Sequence, residues 1–163
     1  MRAIHLPILF FVSIIAFCSC HADDTLAAGS HIDSIAVYKG KRKMEVYYKK
    51  KLLKTYTISL GRQPKGHKQY EGDMRTPEGL YFIQDRNPNS TCHKNLGISY
   101  PNAEDKQAAA KLGKPPGGDI KIHGFPNGQP YFSTIHTFKD WTYGCIAVTD
   151  EEIDELFEHV LIG

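Results

Sequence analysis

The stretch from Ile32 to Leu60 constrains the fold most. β-branched and aromatic residues recur there in three short runs, Ile35-Ala36-Val37-Tyr38, Met44-Glu45-Val46-Tyr47-Tyr48 and Leu52 to Leu60, separated by Lys39-Gly40-Lys41 and Lys49-Lys50-Lys51. Alternation over runs this short, broken by turn residues, predicts an antiparallel meander and not a helix. The basic clusters sit at the turns, where they read as solvated loop tips. A net charge of +2 and a pI near 8.3 agree, since so small a cationic excess argues against nucleic acid as the main partner.

With 163 residues, 41% hydrophobic and 23% charged, the chain has room for one domain with a real core. Its front reads differently. Met1-Arg2, an apolar run from Leu6 to Phe17 and the small, polar stretch Cys18-Ser19-Cys20-His21-Ala22 together read as a secretory signal. That apolar run falls short of the roughly 20 residues needed to span a bilayer. Cleavage after Ala22 makes the signal residues 1–22, whereas cleavage before Cys20 makes it 1–19 and leaves Cys20 as a lipidated first residue. Residues 23–31 then form a linker and 32–163 the domain. The expected location is the periplasm or cell envelope, with membrane contact only through a lipid on Cys20. Cys92 and Cys145 are the cysteines inside the domain, and in an oxidising compartment they are able to pair.

Four glycines and two prolines between Gly61 and Gly79 predict a long irregular excursion, with strand resuming at Leu80-Tyr81-Phe82-Ile83. Asn87-Pro88-Asn89-Ser90 reads as a turn and Leu96 to Tyr100 as a short strand. Asn102 is placed to cap a helix over Ala103 to Leu112, closed by Gly113. In Asp119-Ile120-Lys121-Ile122-His123 the two isoleucines face the core and His123 takes the other face. Thr149-Asp150-Glu151-Glu152 is a capping box opening an amphipathic helix with Ile153, Leu156, Phe157 and Val160 on one face. The expected fold is mainly β with two short helices, a small β-sandwich or distorted barrel.

Cys145 follows Gly144 and precedes a short apolar stretch and a helix start. Gly144 permits a tight turn, and the N–H groups of residues 143 to 145 are able to converge on an oxyanion. A thiol attacks as thiolate and requires a base, for which His123 at a strand end is the candidate. Spacing alone leaves open whether the two residues are catalytic or merely packed. His136 lies between them, as an orienting group or a loop residue. Trp141 reads as a packing anchor beneath the cysteine, and Cys92 as an incidental free thiol. His67, His93 and His123 match no compact metal pattern.

Ile122-His123-Gly124, followed after a loop by Thr142-Tyr143-Gly144-Cys145-Ile146, resembles the signature of the L,D-transpeptidase (YkuD-type) catalytic domain. Gly61-Arg62-Gln63-Pro64-Lys65-Gly66 and Gly72-Asp73-Met74-Arg75-Thr76-Pro77-Glu78-Gly79 are similar to the family's stretch before its central strand. Ser99-Tyr100-Pro101-Asn102 is similar to a segment of one Gram-negative branch. The resemblance implies that Cys145 attacks a peptidoglycan stem peptide after diaminopimelate, releasing terminal D-alanine and leaving a thioester. His123 takes the thiol proton. A neighbouring amine then resolves the thioester into a crosslink, whereas water gives carboxypeptidase, endopeptidase or crosslink-hydrolase products. Gly144, Tyr143 and Thr142 support the oxyanion site, and Arg75, Tyr100, Gly124 and His136 are the candidates for substrate contact. The resemblance implies no metal and no organic cofactor, and a monomer is the expected state. Three departures accompany it: Tyr143 stands where the family usually has histidine, Ala147 where it often has arginine, and the sequence given ends at Gly163, where the family's Thr-Pro turn and last strand are expected. Tyr143 and Ala147, standing where polar site groups are expected, motivate a competing expectation, an inactive peptidoglycan-binding module.

Overall fold

The computed structural model describes residues 25–163. The export signal, Cys20 and the start of the linker lie outside the described residues. Three antiparallel strands, β1 (Ser34–Tyr38), β2 (Lys43–Tyr48) and β3 (Lys51–Thr57), form the meander expected from the alternation. A second sheet has the order β4 (Ile83–Ser90), β5 (His93–Ile98), β6 (Lys121–His123) and β7 (Ile146–Ala147). In it β5 pairs antiparallel with both β4 and β6, and β6 pairs with β7 in parallel. Single bridges join the sheets, Ser59 to Ala147 and Gly61 to Thr142, so the architecture is two linked open sheets and not a closed barrel.

The core lies where the sheets face each other. Met44, Val46, Tyr56, Ile58 and Leu60 from the meander meet Leu96, Ile122, Ile146 and Val148, all nearly inaccessible to water. Ile153 and Leu156 of α3 (Asp150–His159) close the same cluster. Burial at roughly 1.5–3 kcal/mol per large aliphatic or aromatic side chain makes this the main source of stability. Both expected caps form. Thr149 Oγ1 accepts the Glu152 N–H at 3.2 Å while the Glu152 carboxylate accepts the Thr149 N–H at 2.8 Å. Asn102 and Asp105 do the same at the start of α1 (Ala103–Lys111), at 3.0 and 2.9 Å.

Three expectations need correcting. Among the described residues there are three α-helices and not two, because α2 (Tyr131–Ile135) forms in the loop after β6. Five residues carry no legible period, and this turn is held from outside by Phe132 and Ile135 packing on Trp141. Next, strand pairing begins at Ile83, since Leu80 and Phe82 are 80% and 57% exposed and Phe82 reaches β5 only through its carbonyl and N–H to Ser99. Finally, Asn87 to Ser90 belong to β4. The register shifts between Asn87 and Ser90, and that irregularity accommodates Pro88, which has no N–H to give the ladder.

The excursion after Gly61 is ordered by one carboxylate. Asp73 accepts N–H bonds from Gln69 at 2.6 Å, Tyr70 at 3.3 Å and Arg75 at 3.0 Å, and pairs with Lys68 at 2.9 Å, both side chains being 4% exposed. Burial opposes the charge on Asp73, but the N–H donors and the ammonium outweigh it and hold the carboxyl below its ordinary value. Lys39 ties the far end of the loop, donating to the Gly66 carbonyl at 2.7 Å and the Thr76 carbonyl at 2.6 Å.

Candidate active site

The parallel pairing of β6 and β7 sets Ile122 beside Ile146 and His123 beside Ala147. One step back in that register, Cys145 comes beside Lys121. Because side chains alternate, Lys121, His123 and Cys145 share one face of the sheet while Ile122 and Ile146 enter the core. The sequence places His123 and Cys145 22 positions apart, and two paired strands bring them to the same surface.

His123 is 7% exposed and its Nδ1 lies 2.7 Å from the Gly124 carbonyl. A carbonyl only accepts, so Nδ1 carries the proton and Nε2 is left with its lone pair. The edge of Trp141 meets the imidazole with ring centroids 5.6 Å apart, which fixes the ring's plane. Burial holds the His123 pKa below the ordinary imidazole range, partly offset by the Gly124 carbonyl and helped by His136 and Lys121. The ring is therefore a neutral base at pH 7. A Cβ on Gly124 would meet Asp150 Oδ1 at 2.4 Å, so only glycine lets that carboxylate reach the Phe125 N–H at 2.7 Å.

Cys145 is partly buried, and its thiol donates to the Asp119 carbonyl at 3.4 Å. Burial pushes its pKa up, while the Lys121 N–H and ammonium pull it down. The resting site thus holds a neutral thiol and a neutral imidazole. Cys92 is likewise a free thiol, half-buried, with its pKa raised chiefly by burial.

Thr142 clamps the turn ahead of the cysteine. Its Oγ1 donates to the Cys145 carbonyl at 2.8 Å and accepts the Gly144 N–H at 3.1 Å. This engagement uses the Gly144 N–H within the turn and removes it from the expected oxyanion donors, leaving the N–H groups of Tyr143 and Cys145. Gly144 has φ +135°, and a Cβ there would sit 2.8 Å from the Arg75 carbonyl. Gly61 presses on the same crossing, where a Cβ would come 2.2 Å from the Met74 carbonyl.

The remaining candidates divide. Arg75 is anchored beside Gly144 through its backbone, and among the described residues its guanidinium makes no ion pair. Tyr100 is 4% exposed, with its hydroxyl given to the Pro116 carbonyl at 2.8 Å and its pKa pushed up to about 12 by burial and by Asp105 and Asp73. His136 is 3% exposed, and both ring nitrogens are engaged, Nδ1 with Ser59 Oγ and Nε2 with the Thr57 carbonyl, each at 3.1 Å. It braces β3 against the α2 loop. Trp141 packs as expected. Ala147 is fully buried with Trp141 and Ile135, so no substrate contact comes from that position.

Two residues at the site were not singled out from the sequence. Lys121 was visible in the alternation that placed His123. Arg62 was not, since its partners Trp141 and Tyr143 lie about 80 positions away. Among the described residues, no group of three or more His, Cys, Asp or Glu is placed to hold a metal ion.

With this geometry in hand, comparison with known proteins is informative. The family model "L,D-transpeptidase catalytic domain" matches residues 32–163. "Putative L,D-transpeptidase YafK" of Escherichia coli strain K12 is 32% identical over 133 residues, covering 77% of this chain and 46% of that protein. The chain thus spans about half the length of the curated relative it matches. Among solved structures, Bd1075 of Bdellovibrio bacteriovorus superposes with a TM-score of 0.55 at 22% identity, over 86% of this chain and 50% of that one. The L,D-transpeptidase of Xylanimonas cellulosilytica gives 0.53 at 16% identity, over 85% and 60%. These two likenesses speak for the fold, while the family model and the curated relative carry the assignment: the chain belongs to the L,D-transpeptidase catalytic-domain family.

Proposed function

We propose that this protein is an exported cysteine enzyme that forms a thioester with a diaminopimelate-containing peptidoglycan stem peptide and transfers the acyl group to an amine. The observation that carries the reading is the pairing of β6 with β7, which sets the imidazole oriented by Gly124 and the Cys145 thiol on one face.

The thiol turns from the Asp119 carbonyl toward His123, whose Nε2 takes its proton as Sγ attacks the peptide carbonyl. The Tyr143 and Cys145 N–H groups receive the developing oxyanion. Collapse breaks the amide bond, and the departing D-alanine amine recovers the proton from His123. An acceptor amine, deprotonated by the same imidazole, then attacks the thioester, and the thiolate leaves and is reprotonated. Water in place of the amine gives a hydrolysed stem. Lys121 steadies the thiolate throughout, its N–H and ammonium both favouring the charged form. Export rests on the signal read in residues 1–22, ending either after Ala22 or before a lipidated Cys20.

The test is mass spectrometry of disaccharide tetrapeptides and crosslinked dimers incubated with the mature protein and with its Cys145→Ala variant. New 3-3 linked dimers made only by the wild type are the expected result. Cysteine-dependent shortening or dimer cleavage instead assigns hydrolysis, and binding without any cysteine-dependent product assigns a non-catalytic wall-binding module.

A further inference from the structure

We propose that Arg62, stacked on Tyr143 at the rim of the cysteine turn, binds the free carboxylate at the side-chain end of the diaminopimelate residue whose other carboxyl forms the scissile bond. The inference rests on the proposed reading of the substrate and deepens it.

Arg62 is built onto the turn that carries Cys145. Its N–H donates to the Thr142 carbonyl at 3.0 Å, one residue past the bridge between Gly61 and Thr142. Its Nε donates to the Trp141 carbonyl at 3.2 Å, and its guanidinium carbon lies 4.5 Å from the centre of the Tyr143 ring. The Nε bond sets the reach of the side chain, and the ring sets the plane of the fork. Among the described residues both terminal amino groups are without a hydrogen-bond partner, and Arg62 forms no ion pair. A planar, pre-set fork with its outer edge unoccupied is matched by a carboxylate, which takes two parallel N–H bonds.

The surroundings favour this assignment. Tyr143 is 66% exposed, so the ring's open face is on the surface and its inner work is to hold the arginine. Among the described residues, two other guanidiniums are committed elsewhere. Arg42 is closed by Asp140 at 2.6 Å, and Arg86 donates to the Val160 carbonyl. Arg75 also lacks an ion pair, but its side chain runs across the loop toward Gly66, and no contact fixes it to the cysteine turn. An ammonium at position 62 would keep the charge yet lose the stack and the second hydrogen bond.

The experiment is calorimetric titration of the Cys145→Ala protein, which binds without turnover, using disaccharide tetrapeptides whose diaminopimelate carboxylate is free or amidated. With Arg62 present, the free acid should bind about tenfold to thirtyfold tighter than the amide, the effect of a charge-assisted bidentate contact. Adding Arg62→Gln should reduce that preference to within about twofold and leave affinity for the amidated peptide little changed. Arg62→Lys should restore only part of it, and Tyr143→Ala should lower it with Arg62 still in place. Near-UV circular dichroism checks that each variant is folded. Retention of the full preference by Arg62→Gln, or equal binding of acid and amide when Arg62 is present, overturns the assignment and leaves the proposed substrate standing. Failure of every tetrapeptide to bind the folded protein overturns both.

Discussion

His123→Gln should lower kcat/KM by roughly 10²–10⁴-fold, the usual contribution of a positioned general base. Glutamine fills nearly the same volume against Trp141, so the variant should stay folded and the loss reports chemistry. The pH profile gives a sharper reading. A base works in its neutral form, and burial lowers the His123 pKa, so neutral imidazole persists to pH values below its ordinary midpoint near 6.5. Wild-type kcat/KM should therefore stay level down through about pH 6.5 and fall only below it. Without His123, thiolate arises only by loss of the proton to solvent. Burial raises the thiol, so the residual rate should climb continuously as pH passes the ordinary thiol value of about 8.5. A wild-type profile that falls already above pH 7 on the acid side, or a variant with an unshifted profile, contradicts His123 as the base.

Gly61→Ala should be the most damaging single methyl group in the domain. The added carbon would lie 2.2 Å from the Met74 carbonyl and 3.0 Å from Gly144 Cα, and both obstacles are backbone. Gly61 has no positive φ, so the penalty is steric: the chain after β3, the loop before Arg75 and the cysteine turn must move apart. Overpacking of this kind costs about 3 kcal/mol, which lowers Tm by roughly 10 °C in a domain of this size. Protein that still folds should lose a further factor of roughly 10² in turnover, because the displaced neighbour is the residue before the nucleophile. Gly40→Ala is the control, since its Cβ would meet nothing within 4 Å and no positive φ is required there. Thermal denaturation and turnover of the two variants side by side check the argument. Equal Tm values would mean that the three segments separate freely.

These outcomes depend on contacts of two kinds, and they were not equally legible in the sequence. The meander, the capping box at Thr149 and the helix cap at Asn102 were readable because each rests on residues a few positions apart. Period-two alternation and a Thr or Asn three residues before an acid are local signals. Helix α2 was missed for the converse reason. Five residues between Pro130 and His136 show no period, and their stability comes from Trp141. Leu80 and Phe82 have strand chemistry yet stay exposed, since propensity supplies no partner.

The site divides in the same way. Cys145 and His123 became candidates through their local settings, a glycine before the thiol and an alternating strand behind the imidazole, and the resemblance of their flanking motifs singled out the pair. Tyr100 and His136 have polar groups whose partners, the Pro116 carbonyl and the Ser59 and Thr57 oxygens, are chosen by tertiary folding. Thr142 was expected to support the site, but its capture of the Gly144 N–H depends on turn geometry. Arg62 carries no local sign of its role, because its unoccupied fork and its stack on Tyr143 exist only once Gly61 bridges to Thr142.

The most direct test of the central claim is the intact mass of the protein after brief mixing with disaccharide tetrapeptide and acid quench, with peptide mapping of any adduct. The expected result is a wild-type species heavier by the disaccharide tripeptide acyl group, attached at Cys145, cleaved by hydroxylamine and absent from Cys145→Ala. Product formation with no adduct under any mixing time, or an adduct that survives Cys145→Ala, would contradict covalent catalysis by Cys145.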